Sequence, residues 1–463
     1  MNDLFAKPGK GASPIYFVTP RTWDGIRQRI PDEVSALAAA TGFSGQSGRH
    51  VLGSHGRKQG KIVLLGVDEL DAPGRDGFLA GKLVAALPAG EYSLANEPPG
   101  GKAALADAAL GWLLSAYRFT RYRNSPDALP QLVAPEGVDA ARISRIASGV
   151  WLARDLIHTP ANDMGPQALE DAALAVAKKY RAKVKTIGGD ALLKQNFPLI
   201  HAVGRAGPQE PRLVDFTWGV ANAPKITLVG KGVCFDTGGL DIKPSSAMLM
   251  MKKDMAGAAT ALGLAQMIMD AKLKVRLRVL LPIVENSLSS NSFRPGDVYP
   301  SRKGITVEIG NTDAEGRLIL ADALALADDE EPELLFDFAT LTGAARVAMG
   351  PDLPPFFCTS DDVASDIAAH GMSVADPVWR LPLWAPYESM LASKIADTNN
   401  VSSGPFAGSI TAALFLKKFV TKAKAWAHFD IYAWNPATKP GRPEGAEAQT
   451  ARLLYDLLEK KYG

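Results

Sequence analysis

The stretch that decides the fold is residues 226–271, ITLVGKGVCFDTGGLDIKPSSAMLMMKKDMAGAATALGLAQMIMDA. It begins with an uninterrupted apolar run at 226–229, which favours a buried strand. It ends with alanine and leucine at helical spacing over 255–269. A buried strand followed by a helix of this length is the repeating unit of a parallel sheet.

The same alternation continues toward the C-terminus. The apolar patterns predict strands at 275–284, 305–309, 334–339 and 426–431, and helices at 316–327, 409–420 and 448–460. We therefore expect an α/β fold whose central sheet is mixed but mostly parallel, with helices on its flanks. Ligands of such sheets bind beyond the carboxyl ends of the strands.

The sequence before this stretch indicates a second, smaller α/β domain. We expect a strand at 62–66, helices at 81–87 and 102–117, and a proline-bearing polar linker over 122–135. A further helix over 140–157 ends before Pro160. Since 463 residues exceed what one core usually organises, we predict an N-terminal domain at 1–140 and a catalytic domain at 141–463.

The composition is that of an ordinary globular protein. Hydrophobic residues make up 47% and charged residues 22% of the chain, and the formal net charge is only +2. Such a balance gives no reason to expect nucleic acid or a membrane as a partner. The chain has two cysteines and no signal-peptide or membrane-spanning pattern. We expect a soluble, cytoplasmic protein.

Acidic and basic residues concentrate at the predicted ends of strands and the starts of helices. The glycine-rich segment after the first strand carries Lys231, Asp236 and Lys243. Two further segments, at the starts of two helices, carry the remaining charged positions: Asp254, Asp313, Glu315 and Arg317. In an extended segment, alternate residues share one side, so the last three should face one site.

Simpler explanations exist for each position. Asp254 could serve only as a helix N-cap, and Arg317 could be the cation that neutralises its acidic neighbours. However, one arginine would not neutralise four converging carboxylates (Asp236, Asp254, Asp313 and Glu315). Two divalent ions would, and carboxylates are natural ligands for Mn²⁺ and Mg²⁺ and acceptable ones for Zn²⁺. The sequence has no His-Glu-x-x-His or Gly-x-Ser-x-Gly motif.

Three segments resemble the leucyl aminopeptidase family, the dinuclear-metal aminopeptidases of the cytosolic type. They are GKGVCFDTGGLDIKP at 230–244, KKDMAGAA at 252–259 and NTDAEGRLILADAL at 311–324. The resemblance covers roughly residues 151–431. It implies a hydrolase that releases N-terminal amino acids from peptides by means of a water activated by two metal ions.

The resemblance also implies a role for each position. The ions, Mn²⁺ or Zn²⁺ and alternatively Mg²⁺, would be bound by Lys231, Asp236, Asp254, Asp313 and Glu315. Lys243 and Arg317 would form the catalytic pair, with bicarbonate bound at Arg317 as a proton shuttle. The substrate pocket would be lined by Met251, Thr340, Leu341 and Gly343. The family further implies a homohexamer.

The C-terminal stretch departs from the family pattern. The family has small residues where this chain has bulky Tyr432 and Trp434, and three prolines follow in the loop 432–446. The resemblance places this loop near the side-chain pocket, so we expect it to alter substrate preference. Two alternative functions were weighed: DNA binding, which the net charge does not support, and phosphoester hydrolysis, against which Lys231 and the motif order argue.

Overall fold

The computed structural model describes residues 4–7, 11–56, 60–123 and 128–463. The chain divides into two compact units. The N-terminal unit consists of residues 1–151 and 437–444, and the C-terminal unit of residues 152–436 and 445–463. The first division falls inside the helix Ala140–His158. The linker predicted over 122–135 lies partly outside the described residues, at 124–127.

The N-terminal unit contains a five-stranded sheet in the order β2-β3-β1-β4-β5. Its strands are β1 (Ser13–Val18), β2 (His50–His55), β3 (Gly60–Gly66), β4 (Gly90–Leu94) and β5 (Pro130–Leu132). All neighbours run parallel except β2, which is antiparallel to β3. The helices are α1 (Trp23–Arg27), α2 (Asp32–Ala40), α3 (Leu83–Ala86), α4 (Gly101–Ser115) and the start of α5 (Ala140–His158), with a 3₁₀ turn at Leu79–Lys82.

The segment 437–444, which is distant in sequence, completes this unit. The backbone N–H of Gly441 donates to Ser115 Oγ at 2.8 Å. The guanidinium carbon of Arg442 lies 5.0 Å from the centre of the Phe78 ring, a cation–π contact. Gly441 has φ of 70°, and an added Cβ would lie 2.6 Å from the Phe78 ring. This turn therefore requires glycine.

The C-terminal unit is built on a nine-stranded sheet. Along the sheet the order is β15-β14-β17-β13-β8-β10-β7-β6, and β9 pairs with the second half of β10. The strands are β6 (Lys183–Gly188), β7 (Arg212–Gly219), β8 (Lys225–Gly230), β9 (Gly232–Asp236), β10 (Arg276–Asn286), β13 (Leu334–Ala339), β14 (Pro355–Cys358), β15 (Trp379–Arg380) and β17 (Trp426–Asp430). Two small sheets accompany it, formed by β11 (Val298–Pro300), β12 (Thr306–Glu308) and β16 (Thr398–Asn399), and by β18 (Trp434–Asn435) and β19 (Gly445–Ala446).

The centre of the large sheet is parallel and its flanks are antiparallel. Strands β17, β13, β8 and β10 run in one direction, whereas β7 and β14 run against their neighbours β10 and β17. The predicted mixed, mostly parallel α/β sheet is therefore confirmed. All six residues of β13 are buried, as expected for a strand that is covered on both faces.

Helices form the covering layers. They are α6 (Pro166–Lys179), α7 (Ala191–Lys194), α8 (Pro198–Gly204), α9 (Ser245–Met248), α10 (Ala256–Ala271), α11 (Glu315–Asp328), α12 (Gly343–Met349), α13 (Asp361–Ser373), α14 (Gly408–Lys417) and α15 (Ala451–Tyr462), with 3₁₀ turns at Met251–Met255 and Ala385–Leu391. Helix α11 packs with α8 and α14, and its buried residues share a hydrophobic core with Val229 of β8 and Leu335 of β13. Helix α10 packs with α15 and also with strands β8 and β13. Among the described helices, none is long and apolar enough to cross a bilayer.

A buried carboxylate ties the end of α11 to the loop after α14. Asp328 is 3% exposed, and it accepts hydrogen bonds from the backbone N–H groups of Thr421, Lys422 and Ala423 at 2.8–2.9 Å. Removal of the carboxylate would break three charge-assisted hydrogen bonds that anchor this loop, although Thr421 and Lys422 themselves are exposed.

We expect Asp328→Ala to lower the free energy of unfolding by about 2–3 kcal/mol, since three hydrogen bonds to a buried charged acceptor are lost. Urea unfolding followed by circular dichroism measures this change. Asp329→Ala is the matched control, because the Asp329 side chain is 55% exposed and its ion pairs with Arg302 and Lys422 are long. Equal destabilisation by both variants would contradict the assignment.

Candidate metal centre

The charged residues of the glycine-rich segment lie at the carboxyl edge of the parallel strands. Lys231 lies between β8 and β9, and Asp236 is the last residue of β9. Thr340 directly follows β13, the neighbour of β8. Parallel strands end at one edge of a sheet, so side chains that follow them meet there.

Asp254 reaches the same place from the 3₁₀ turn that precedes α10. Its carboxylate accepts a hydrogen bond from Thr340 Oγ1 at 2.6 Å and lies 2.8 Å from Lys231 Nζ. Met255, not Asp254, occupies the N-cap position of α10, and no side chain caps that helix. The simple N-cap explanation for Asp254 is therefore wrong.

Asp313 and Glu315 converge with Asp236, although not in the way expected. Residues 312–313 form a turn and Glu315 already begins α11, so the alternation argument for an extended segment does not apply. One carboxylate oxygen from each of these three residues nevertheless lies within 4.8 Å of the others. Asp236 is 2% and Glu315 1% exposed, which makes their mutual repulsion strong.

Two lysines partly balance this charge. Lys231 Nζ lies 2.8 Å from Asp254 Oδ2 and 2.9 Å from Glu315 Oε1. Lys243 Nζ lies 2.8 Å from Asp236 Oδ2 and also pairs with Asp313. Burial alone would lower the pKa of Lys231, but the carboxylates of Asp254, Glu315 and Asp236 raise it above its ordinary value.

The raised pKa values of the acidic groups indicate that the two lysines do not fully offset the negative charge of the cluster. Burial, followed by the nearby charge of Asp236, raises the pKa of Glu315 to about 8 and that of Asp313 to about 6. The pKa of Asp254 is also raised, first by burial. The carboxylates of Glu315, Asp313 and Asp254 therefore resist ionisation even beside two ammonium groups.

The donor set fits divalent metal ions. Among the described residues, Glu315 Oε2, Asp254 Oδ2 and Asp313 Oδ1 are buried oxygens without a hydrogen-bond partner. Asp254 Oδ2 and Asp313 Oδ1 each form an ion pair with a lysine ammonium group, whereas Glu315 Oε2 has no donor or ion-pair partner among the described residues. Buried carboxylate oxygens with free lone pairs are the ligands that Mn²⁺, Mg²⁺ and Zn²⁺ accept.

Arg317 does not neutralise the acidic cluster. Its Nη1 donates to the backbone oxygen of Asn400 at 2.6 Å, and it forms no ion pair with a described carboxylate. The Asn400 side chain in turn donates to Asn311 O at 2.8 Å, next to the turn that carries Asp313. Arg317 is thus held at the edge of the cluster, 7% exposed.

Several supporting residues were not singled out from the sequence. Asn286 Nδ2 donates to Asp236 Oδ1 at 2.8 Å and to Thr312 O at 3.1 Å. Thr312 Oγ1 donates to Gly238 O at 2.7 Å, and its N–H donates to Asp241 at 2.7 Å. These bonds join the glycine-rich segment to the turn that carries Asp313. Of these residues, only Asn286 could have been noticed in the sequence, because it is a polar residue at the end of a strand.

A cavity of about 660 Å³ opens above the cluster. All the residues predicted for the site line it: Lys231, Asp236, Lys243, Met251, Asp254, Asp313, Glu315, Arg317, Thr340, Leu341 and Gly343. Of the loop 432–446, only Tyr432 lines the cavity. Lys253 and Arg346, which no sequence pattern indicated, line it as well.

The fold and the site together define a metal-dependent enzyme of the α/β class. The chain belongs to the cytosol aminopeptidase family: the model of that family's catalytic domain matches residues 151–455. The model of the M17 aminopeptidase N-terminal domain matches residues 26–135. The family predicted from the three motifs is therefore confirmed.

Curated relatives and solved structures agree with this assignment. The probable cytosol aminopeptidase of Caulobacter vibrioides is 36% identical over 451 residues, which cover 92% of this chain and 91% of the relative. The crystal structure of the cytosol aminopeptidase from Coxiella burnetii is 45% identical, covers 99% of both chains and superposes with a TM-score of 0.93. The bottromycin maturation enzyme BotP, solved in complex with Mn, is 31% identical with a TM-score of 0.87 and covers 97% of this chain and 99% of its own.

The protein is accordingly a metal-dependent aminopeptidase, a hydrolase that acts on peptides from the N-terminal end.

Proposed function

We propose that the cluster holds two divalent ions, ligated by Lys231, Asp236, Asp254, Asp313 and Glu315. The observation that carries this proposal is the convergence of carboxylate oxygens from Asp236, Asp313 and Glu315 within 4.8 Å of one another, with the buried Glu315 Oε2 left without a hydrogen-bond donor. The name of the related BotP structure, which includes Mn, supports Mn²⁺ as one occupant, and Zn²⁺ and Mg²⁺ are the alternatives. When bound, the ions supply Lewis acidity and an activated water as the nucleophile.

The chain's own residues prepare this chemistry. A lysine nitrogen ligates a metal only as a neutral amine, so Lys231 must release its proton when the site is filled. Asn286 and the backbone N–H of Gly238 both donate to Asp236 Oδ1, at 2.8 and 2.9 Å, and so hold this carboxylate in one orientation. The ligands are therefore positioned before the ions arrive.

Lys243 and Arg317 act outside the metal shell. The Lys243 side chain lines the cavity, and as an ammonium group it would stabilise the oxyanion that forms at the scissile carbonyl. Arg317 presents a guanidinium whose Nε has no partner among the described residues, although Nη1 is fixed by Asn400. The Nε side of the guanidinium suits a planar anion, and we assign this position to bicarbonate, which would act as the proton shuttle.

The remaining walls accept the first residue of the peptide. Met251, Thr340, Leu341 and Gly343 form the pocket-side wall of the cavity. Asp430 accepts hydrogen bonds from the N–H groups of Leu341 and Thr342 at 3.0 and 3.1 Å and thereby fixes this wall. We further propose a location in the cytosol, in line with the names of the family's members. The homohexamer that the sequence resemblance implies is part of the same proposal.

The test is metal add-back. Chelator-treated wild type should be inactive on an aminoacyl anilide and should regain activity with Mn²⁺, Zn²⁺ or Mg²⁺. Asp313→Ala should remain at least about 100-fold less active at every metal concentration, because a ligand is missing. Asp362→Ala, an exposed acidic residue on α13, is the matched control and should behave as wild type. Full activity of the stripped protein would refute the proposal.

A further inference from the structure

The cavity has a second charged region besides the metal centre. It is formed by Lys253, Arg346 and Tyr432, and we call it the cationic wall. Lys253 comes from the 3₁₀ turn before α10, Arg346 from α12, and Tyr432 from the chain after β17. None of the three was predicted to be a ligand or a catalytic residue, so the metal chemistry does not explain them.

Lys253 and Tyr432 are held together. Lys253 Nζ donates to the backbone oxygen of Tyr432 at 2.8 Å and lies 4.5 Å from the centre of its ring. The lysine is 4% exposed, so it is a buried cation with one backbone acceptor and one aromatic face as partners.

Arg346 approaches the same ring. Its guanidinium carbon lies 5.2 Å from the centre of the Tyr432 ring. In the described parts of the chain no carboxylate forms an ion pair with Arg346, and the residue is exposed at the cavity wall. An aromatic ring orients a guanidinium without neutralising it, and the two-pronged donor set remains available.

Burial lowers the pKa of Lys253 to about 8, and the charges of Asp254 and Asp430 oppose this shift, so both carboxylates already act on the lysine. Asp430 accepts from the N–H groups of Leu341 and Thr342 and from the hydroxyls of Thr342 and Ser409. Asp254 pairs with Lys231. The cationic wall therefore includes one exposed guanidinium, that of Arg346, without an ion-pair partner among the described carboxylates.

We propose that the cationic wall binds a carboxylate of the peptide, with Arg346 as the specificity-determining residue. This inference rests on the proposed function. A guanidinium fork binds a carboxylate through two parallel, charge-assisted hydrogen bonds. The carboxylate could come from an acidic side chain of the first residue or from the C-terminus of a short peptide.

The experiment compares substrates that differ only in that carboxylate. In the first arm, kcat/KM is measured for Glu and Gln anilides, which have no C-terminal carboxylate. In the second arm, Leu-Gly is compared with Leu-Gly amide. In one of the two arms the metal-loaded wild type should favour the carboxylate form by about 10- to 100-fold, the range for a charge-assisted hydrogen bond.

The variants then locate the source of the preference. In the arm that shows the preference, Arg346→Gln should bring the ratio of kcat/KM for the carboxylate substrate to kcat/KM for its amide counterpart within about threefold of unity. Arg346→Lys should retain part of the preference because the positive charge remains. Arg205→Gln is the matched control. Arg205 also stacks on a tyrosine, with its guanidinium carbon 5.7 Å from the Tyr299 ring centre, but it does not line the cavity. Its ratios should equal those of wild type.

The outcomes separate the two proposals. Preference for Glu identifies an acidic side chain as the ligand, and preference for Leu-Gly identifies the C-terminus. Ratios near one in both arms for an active wild type would overturn the carboxylate inference and leave the aminopeptidase assignment intact. A ratio that Arg346→Gln does not change would overturn it too. If the metal-loaded protein cleaved no substrate, the proposed function would fail and the inference with it.

Discussion

Glu315→Gln is expected to lower kcat/KM for an aminoacyl anilide at least about 1,000-fold, since a metal site contributes several kcal/mol and each 1.36 kcal/mol corresponds to a tenfold change in rate. The substitution keeps the shape of the side chain and removes its charge. Glu315 is 1% exposed, lies 2.9 Å from Lys231 Nζ and contributes to the carboxylate group that includes Asp236 and Asp313. An amide would replace an anionic ligand by a neutral one.

The protein itself should remain folded. In the absence of metal, burial already raises the pKa of Glu315 to about 8, so a neutral side chain is tolerated at this position. Metal content of the purified variant, measured by mass spectrometry, should fall below that of wild type. Glu170→Gln provides the control, because Glu170 is also buried and paired, with Arg212, but does not line the cavity. Full metal content together with full activity in Glu315→Gln would show that the cluster is not the metal site.

The second large effect is expected from a single methyl group on α10. Gly257 lies where the helix start meets two strands, and a Cβ built there would lie 2.1 Å from Phe338 O and 2.7 Å from Lys231 N. Both are backbone atoms, so no side chain can move aside. The contact is fixed further by hydrogen bonds from Ala258 N to Lys231 O and from Lys231 N to Phe338 O.

We expect Gly257→Ala to destabilise the protein by more than about 3 kcal/mol, at the upper end of the range for overpacking, or to prevent its folding. Urea unfolding and the yield of folded protein measure this effect. Gly25→Ala is the control: Gly25 is also helical, and a Cβ there would meet nothing within 4 Å. Unchanged stability of Gly257→Ala would contradict the packing argument.

A companion variant tests the same region when Gly257→Ala does not fold. At Gly316 the three atoms nearest to an added Cβ all belong to the Lys231 side chain, with Cε at 2.5 Å and Nζ at 2.7 Å. Gly316→Ala should therefore fold but displace the Lys231 amine, with a loss of activity of at least about tenfold, as expected when a site group is misplaced. Wild-type activity in a folded Gly316→Ala would contradict this position for Lys231.

The sequence predicted the fold and the site best where charged residues stand next to segments with a clear strand or helix pattern. The buried strand Leu334–Ala339 is apolar in sequence except for Asp337, and its predicted bounds agree with the structure. The carboxylates stood out because they follow such strands or begin helices. Convergence of Asp313 with Glu315 was foreseen for the wrong reason, since a turn and a helix start, not an extended segment, bring them together.

What the sequence did not reveal depends on distant partners. The antiparallel strands Lys183–Gly188 and Arg212–Gly219 carry charged residues on a sheet flank, so their apolar signal is weak. The contacts of Arg346 and Lys253 with Tyr432 join positions that are 86 and 179 residues apart along the chain. No local pattern reports such contacts, because packing alone creates them.

The return of residues 437–444 to the N-terminal unit affects how this protein can be rearranged genetically. A recombination event at residue 151 would exchange most of the unit but leave behind the segment that places Gly441 against Phe78 and Ser115. A chimaera of two relatives would then combine a turn from one parent with the surface that receives it from the other. Substitutions at Phe78, Ser115 and Gly441 should therefore be inherited together, although more than 300 positions along the gene separate the first two from the third.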